Sequence, residues 1–143
     1  MTLIDTHSHI YYTDYSDRID DVIQSARDVG VEKIISVGVD LATSEECINL
    51  AEKYSSVYAT CGYHPHEAMK APKRYLYELE QLYEHPKVVA VGEIGLDYHY
   101  NFSKPNDQKR VFCEQLEMAS SIGLPTIVHC RNSDDDLISS IQQ

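Results

Sequence analysis

Short apolar runs alternate with longer stretches in which apolar residues recur at helical spacing, and this alternation continues along the whole chain. The runs predict five strands, over residues 3–6, 33–37, 57–61, 88–92 and 126–128. The stretches between them predict helices over residues 18–29, 42–54, 75–83 and 106–121, and a last helix from Ser133 to Gln143.

The ends of the predicted helices carry local signals. Gly30 and Gly123 follow two of the helices, in the position where glycine commonly ends a helix. Thr43 or Ser44 is expected to cap the second helix, with Glu46 completing a capping box. Pro65 and Pro72 mark a polar loop after the third strand.

A succession of strand-then-helix units requires right-handed crossovers and therefore a parallel sheet. An open doubly wound sheet and a barrel both satisfy that order. No Gly-x-Gly-x-x-Gly follows the first strand, which removes the main support for a dinucleotide-binding open sheet. The predicted class is α/β.

Length limits how much of a barrel the chain can hold. Its 143 residues are well short of the roughly 250 of a closed (β/α)8 barrel. Hydrophobic residues make up 43% and charged residues 24%, the ordinary balance of a globular domain. We expect residues 1–143 to form one domain holding only about the first five β/α units of a TIM barrel.

The composition also bears on location. No stretch approaches the ~20 apolar residues of a membrane span, and Met1 leads into an acid and two histidines rather than into a signal region. We therefore expect a cytoplasmic protein without a membrane partner. The four cysteines form no Cys-x-x-Cys pair, which argues against disulfides and a thiolate zinc site.

The net charge of −11 argues against a broad basic surface for gripping duplex phosphates. A nuclease remains compatible with it, because bound divalent cations can supply the positive charge that a phosphate needs.

His7 and His9 lie two residues apart at the end of the first strand, so their side chains project from the same face. Two adjacent imidazoles can hold one divalent metal, although exposed loop histidines would give the same pattern. Asp5 shares that face and is a candidate to orient a ligand.

Glu93 lies between Gly92 and Gly95 where the fourth strand ends, and glycines there permit close backbone approach. A carboxylate has two oxygens and can bridge two cations ~3.5–4 Å apart. His129, directly after the fifth apolar run, is placed to complete the site, although a structural histidine is the alternative.

Two further residues are candidates for contact with substrate. His64, after the third strand, is placed to contact a phosphate or leaving group, whereas His66 is equally well explained as a loop residue. Arg131 can pair with a phosphate oxygen through its planar fork, or be an ordinary surface arginine.

Taken together, His7, His9, Glu93 and His129 follow strands one, four and five, on the rim where α/β folds place active sites. Oxygen and imidazole ligands suit Mg, Mn or Zn and do not choose among them. The eleven tyrosines, among them Tyr98 and Tyr100, could stack on bases, although packing or surface positions explain them equally simply.

At these motifs the sequence resembles the TatD family of metal-dependent deoxyribonucleases, within the amidohydrolase-like barrels. The resemblance rests on four segments in family order, residues 5–9 (DTHSH), 62–66 (GYHPH), 92–98 (GEIGLDY) and 128–131 (VHCR).

The resemblance implies a (β/α)8 fold and two divalent metal ions, with His7, His9, Glu93 and His129 as ligands. It implies hydrolysis of DNA phosphodiesters from the 3′ end, on single-stranded DNA or at 3′ ends, with Glu93 and His129 as catalytic residues. The family also uses a histidine after strand six and an aspartate after strand eight, and neither falls within these 143 residues.

Three interpretations follow: a nuclease or a piece of one, an amidohydrolase-type esterase or amidase using the same metals, and a non-catalytic metal-binding fragment. The third is favoured by strands one and five, whose outer edges lack a partner strand in a five-stranded barrel segment. We therefore expect self-association through these edges, or their concealment by a rearrangement.

Overall fold

The computed structural model describes residues 2–12, 15–100 and 102–142. The five strands are β1 (Leu3–Ser8), β2 (Val31–Val37), β3 (Val57–Cys61), β4 (Val88–Asp97) and β5 (Thr126–Arg131). The helices are α1 (Ile19–Asp28), α2 (Leu41–Lys53), α3 (Tyr75–Tyr83), α4 (Pro105–Ile122) and α5 (Asp134–Ile141), with a 3-10 helix over Pro65–Lys70. Gln143, where the last helix was expected to stop, lies outside the described residues.

The strands form one parallel sheet in the order β1-β2-β3-β4-β5. A doubly wound sheet would reverse its strand order at a switch point, where the chain begins to add strands on the other side. Here each new strand is added beside the previous one, as in a barrel. The sheet is a half-barrel, and the predicted fold class is confirmed.

Three strands extend further at their carboxyl ends than predicted, and β2 begins at Val31, two residues earlier than predicted. β1 continues to Ser8, β4 to Asp97 and β5 to Arg131. The sequence pattern placed the end of β4 at Gly92, but pairing resumes beyond this glycine, and Gly95 lies opposite His129. Glu93 and His129 therefore belong to strands, and their backbone is held by the sheet rather than by a loop.

The predicted cap of α2 was wrong in its residues. Asp40 is the N-cap, and its Oδ1 accepts a hydrogen bond of 2.8 Å from the Thr43 backbone N–H. Thr43 Oγ1 in turn accepts one of 3.0 Å from the Asp40 N–H. Neither Ser44 nor Glu46 forms the capping box, because the N-cap is Asp40, three residues before Thr43, and Thr43 takes the N3 position of the box. Gly123 ends α4 with φ 72°, as predicted.

Buried apolar side chains lie in two clusters formed by the sheet and its helices. One cluster includes residues of β2, β3, α2 and α3, and the other joins Val91, Ile94 and Leu96 of β4 to Phe112 of α4 and Leu137 of α5. Cys47 and Cys61 are buried, and all four cysteines are free, as the sequence suggested.

Both outer strands of the sheet are open to solvent. Leu3 and Ile4 of β1 and Val128 of β5 are exposed. A groove lined by Ile35, Val89, Ala90 and Ile127, among others, also remains accessible. Within the described part of the chain, no helix is long and apolar enough to cross a membrane.

Gly95 offers a test of how β4 and β5 are held together. A Cβ atom there would lie 2.0 Å from the His129 carbonyl oxygen, which is backbone and cannot rotate away. We expect Gly95→Ala to lower the free energy of unfolding by about 2 kcal/mol or more, measured by urea denaturation.

Gly123→Ala is the matched control. Gly123 also has a positive φ, but nothing lies within 4 Å of a Cβ built there. Only the left-handed backbone opposes the alanine, and we expect a loss of about 1 kcal/mol. Equal losses in the two variants would contradict a special closeness of β4 and β5.

Candidate metal centre

An open cleft of about 460 Å³ lies at the carboxyl ends of the strands. All six site residues predicted from the sequence line it: His7, His9, His64, Glu93, His129 and Arg131. They come from β1, β4, β5 and the segment after β3, so parallel pairing has brought together positions up to 124 residues apart, the difference between 131 and 7. His66 and Asp97 also line the cleft.

Glu93 is the centre of this arrangement. Its side chain is 9% exposed. Its Oε2 lies 3.4 Å from His7 Nε2 and 3.9 Å from His9 Nε2. Its Oε1 lies 3.2 Å from His129 Nδ1 and 3.9 Å from His64 Nε2. The two carboxylate oxygens therefore face two different pairs of histidines.

The first group consists of His7, His9 and Glu93, whose donor atoms lie within 4.8 Å of one another. His9 Nδ1 is 2.9 Å from the Val37 carbonyl oxygen. Because a carbonyl only accepts, neutral His9 carries its proton on Nδ1, and the lone pair on Nε2 is directed towards Glu93. Asp5 accepts a hydrogen bond from the His7 backbone N–H, so it contacts the backbone of His7 rather than the imidazole.

The second group consists of His64, His66 and His129, again with donor atoms within 4.8 Å. Asp97 connects two of them, because its Oδ2 lies 2.8 Å from His66 Nε2 and 2.9 Å from His129 Nε2. A carboxylate on one ring nitrogen orients the imidazole and leaves the other nitrogen free to ligate. For His129 that other nitrogen, Nδ1, faces Glu93.

Sequence reasoning assigned no role to Asp97 and left His66 as a possible loop residue. Asp97 is fully buried and also accepts hydrogen bonds at Oδ1 from the backbone N–H groups of His99 and Tyr100. A signal for Asp97 was present, because Glu93, Gly95 and Asp97 share one face of a strand with period two. This alternation applies only if β4 continues to Asp97. Gly92 and Gly95 instead indicated that the strand ends before Asp97.

His64 differs from the other histidines in its hydrogen bonding. It is the N-cap of the 3-10 helix, and its Nδ1 accepts a hydrogen bond of 3.2 Å from the His66 backbone N–H. Neutral His64 therefore carries its proton on Nε2, the atom that faces Glu93. In this state His64 is a hydrogen-bond donor towards the cleft.

The ionisation of the cleft follows from burial and hydrogen bonding. Burial lowers the pKa of His64 to about 4 and also lowers the pKa of His9. Burial by itself would raise the pKa of Glu93, but the hydrogen bond with His129 and the charges of neighbouring histidines hold it below its ordinary value.

Asp97 and His129 are shifted in opposite directions. Burial opposes ionisation of Asp97, yet its hydrogen bonds with Tyr100, His66, His129 and His99 hold its pKa far below the ordinary range. The hydrogen bond with Glu93 raises the pKa of His129. Both carboxylates are therefore charged at neutral pH.

The donor set fits a divalent cation. Among the described residues, the ion-pair partners of Glu93 and Asp97 are all histidines, with no lysine or arginine beside either carboxylate. Buried carboxylates need a compensating positive charge, and neutral imidazoles supply none. Imidazole nitrogens and carboxylate oxygens are ligands that Zn and Mn accept readily.

A parallel half-barrel with histidines and carboxylates at the carboxyl ends of its strands is the architecture of a metal-dependent hydrolase. The profile of TatD-related DNases matches residues 4–143 of this chain. The chain belongs to the TatD family.

Individual relatives agree with this assignment. The chain is 36% identical to the uncharacterized metal-dependent hydrolase YabD of Bacillus subtilis over 141 residues, covering 99% of this chain and 55% of YabD. It is 36% identical to the 3′-5′ ssDNA/RNA exonuclease TatD of Escherichia coli, covering 86% of this chain and 47% of TatD. The chain therefore spans about half the length of these relatives.

Solved structures share the fold over the same extent. The TatD homologue YJJV of Escherichia coli has a TM-score of 0.91 at 35% identity, covering 98% of this chain and 55% of that protein. A TatD family hydrolase of Entamoeba histolytica has a TM-score of 0.91 at 29% identity, covering 99% of this chain and 54% of that one.

The role of Asp97 in holding the cleft can be tested with Asp97→Asn. The amide keeps the size of the side chain but replaces the charged carboxylate, whose Oδ2 accepts hydrogen bonds from both His66 and His129. We expect the free energy of unfolding to fall by about 2 kcal/mol, measured by urea denaturation in the presence of a chelator.

The pH dependence of this loss has a definite sign. Because the folded pKa of Asp97 is lowered, its stabilising contribution is present above the unfolded pKa of about 3.9 and disappears as pH falls through the folded value. Asp136→Asn is the control. Asp136 also accepts a hydrogen bond, from the Tyr98 hydroxyl, and forms an ion pair with Lys109, but its side chain is partly exposed. A larger fall in the free energy of unfolding in Asp136→Asn than in Asp97→Asn would contradict the role of Asp97 in holding the cleft together.

Proposed function

We propose that this chain carries part of a two-metal phosphodiesterase site that removes nucleotides from the 3′ ends of single-stranded DNA. The observation that carries the proposal is the position of Glu93, whose two oxygens face separate histidine groups. That position suits a carboxylate shared by two cations.

The proposed ligands of two divalent ions, Mg, Mn or Zn, are His7, His9, Glu93 and His129. When bound, such ions would polarise the phosphate and lower the pKa of a water molecule towards neutrality. Glu93 and His129 are the proposed catalytic residues, because the Glu93 carboxylate lies between the two histidine groups and His129 Nδ1 contacts it at 3.2 Å. Asp97 positions His129, because its Oδ2 accepts a hydrogen bond of 2.9 Å from the Nε2–H of that imidazole.

His64 and Arg131 are the proposed contacts to the substrate. The Nε2–H of neutral His64 is available to donate to a phosphate oxygen or to the leaving oxygen. Arg131 is the one lysine or arginine among the described residues lining the cleft, and its guanidinium can form paired hydrogen bonds to a phosphate. Both roles follow from the chemistry of an anionic substrate entering a cleft that holds cations.

Single-stranded DNA is the proposed substrate for two reasons. The relatives named TatD are 3′-5′ ssDNA/RNA exonucleases. In addition, a net charge of −11 disfavours the broad phosphate contacts on which duplex binding depends.

The experiment compares Mg- or Mn-dependent nucleotide release from a labelled single-stranded oligonucleotide by the chain and by its Glu93→Ala and Glu93→Gln variants. We expect release by the parent chain and its loss in both variants, with Mn binding in calorimetry weakened more than tenfold. Glu93→Gln keeps the shape of the side chain, so a shared loss reflects its charge.

Glu52→Gln is the matched control, because Glu52 also lies beside a histidine, 3.3 Å from His85 Nε2, but outside the cleft. It is expected to behave as the parent chain. Hydrolysis of ester or amide substrates without nucleotide release would instead favour the amidohydrolase-type activity. Mn binding that depends on Glu93, with no hydrolysis of any substrate, would favour a non-catalytic metal-binding fragment.

The fragment hypothesis has its own support in the exposed edges of the sheet. Ile4 is 53% exposed on β1, and Val128 is 37% exposed on β5. Unpaired edge strands readily pair with another chain. We propose that the chain self-associates through these edges.

Light scattering after size-exclusion chromatography tests this, with Ile4→Lys expected to reduce the associated fraction because a charge on an edge strand opposes pairing. Tyr77→Lys on α3 is the control at a site of similar exposure, 62%. A monodisperse monomer at all concentrations would contradict self-association. The cytoplasmic location and the single domain over residues 1–143 stay predictions.

A further inference from the structure

Tyr100 and Phe102 form an exposed aromatic pair at the border of the cleft. Their ring centroids are 5.5 Å apart with planes inclined by 26°, which is a stacked arrangement. Tyr100 lines the cleft, and the Phe102 ring lies 4.9 Å from that of His66. The two residues are 40% and 57% exposed, respectively.

Among the described residues, the two rings contact histidines of the border, His66 and His99, rather than the apolar core. Neither ring belongs to the two buried apolar clusters, whereas Tyr11 and Tyr98 pack against them. Tyr98 also donates a hydrogen bond to Asp136. Two neighbouring rings exposed beside a polar cleft are more typical of a binding surface than of a core.

The backbone on both sides of the pair is fixed. Asp97 Oδ1 accepts from the backbone N–H of Tyr100 at 3.1 Å. On the other side, Ser103 is buried, accepts from the Met69 N–H at 3.0 Å and donates to the His66 carbonyl at 2.9 Å. The position of the rings is therefore linked to Asp97 and His66, which also shape the cleft.

Arg131 supplies a positive charge at the same place. Its Cζ lies 4.8 Å from the centre of the Tyr100 ring. An aromatic surface beside a guanidinium, on the border of an otherwise acidic cleft, complements a nucleotide, which has a flat base and a negatively charged phosphate.

We propose that Tyr100 and Phe102 form a base-stacking subsite, which holds a nucleobase of a single strand while its phosphate is directed towards Arg131 and Glu93. This inference rests on the proposed function and adds a basis for strand selection. Bases in a duplex are already stacked and paired, so an accessible ring surface selects a strand whose bases are free.

The test is the binding of a short fluorescein-labelled oligothymidylate to the full chain in the presence of Mn, measured by anisotropy. The linkages of the oligonucleotide are phosphorothioates, which resist hydrolysis. We expect the double variant Tyr100→Leu/Phe102→Leu to bind about tenfold more weakly, because stacking on each base contributes substantially to affinity. Tyr100→Phe, which keeps the ring, is expected to bind as the parent does. Tyr77→Leu, at the exposed tyrosine of α3, is the control for loss of a surface ring.

A second oligonucleotide, with an abasic site at its 3′ end, separates stacking from indirect effects. The parent chain is expected to bind this oligonucleotide about tenfold more weakly than the intact one. The double variant is expected to bind both oligonucleotides with the same affinity. Equal losses for parent and double variant would overturn the subsite, since the rings would then act without touching the base. No binding by the parent chain, or parent-like binding by the double variant, would overturn it as well.

The outcome is distinguishable from that of the proposed function. Glu93-dependent nucleotide release with parent-like binding by the double variant would support the hydrolase and overturn the subsite. The expected binding pattern without any nucleotide release would support the subsite and contradict hydrolysis by this chain.

Discussion

The close pairing of β4 with β5 is the constraint on which the cleft depends. Gly95 lies opposite His129, so near that a Cβ atom would meet the His129 carbonyl oxygen. This approach brings the His129 ring between Glu93 and Asp97. Glu93 lies two residues before Gly95 and Asp97 two residues after it, so both are on the same face of the strand. A side chain at Gly95 would move the two strands apart and separate the imidazole from both carboxylates.

Electrostatics gives the cleft its chemical character. Glu93 and Asp97 are buried, and both are held in the charged form although burial opposes it. Their partners are imidazoles, two of which are neutral at pH 7 because burial lowers the pKa of His9 and of His64. Such a cleft has excess negative charge, which a divalent cation would neutralise. Without that cation, the negative charge of the cleft would repel an anionic substrate.

The same fold that assembles the cleft leaves the sheet open. Strands are added in one direction, so β1 and β5 become the outer strands, with Ile4 and Val128 exposed on them. The chain spans about half the length of its TatD relatives. The histidine groups and Glu93 are nevertheless assembled within this half, because they come from the carboxyl ends of β1, β4 and β5 and from the segment after β3.

The sequence by itself determined the order of strands and helices, the α/β class and the positions of His7, His9, Glu93 and His129 at the sheet rim. Apolar periodicity reports burial locally, and parallel strands must end on one edge. Only the tertiary structure decided that β4 continues past its glycines, that Asp97 and His66 enter the cleft, and that Tyr100 is exposed rather than packed. Those features depend on pairing between residues more than 30 positions apart, Asp97 with His66 and with His129, and no local pattern encodes such contacts.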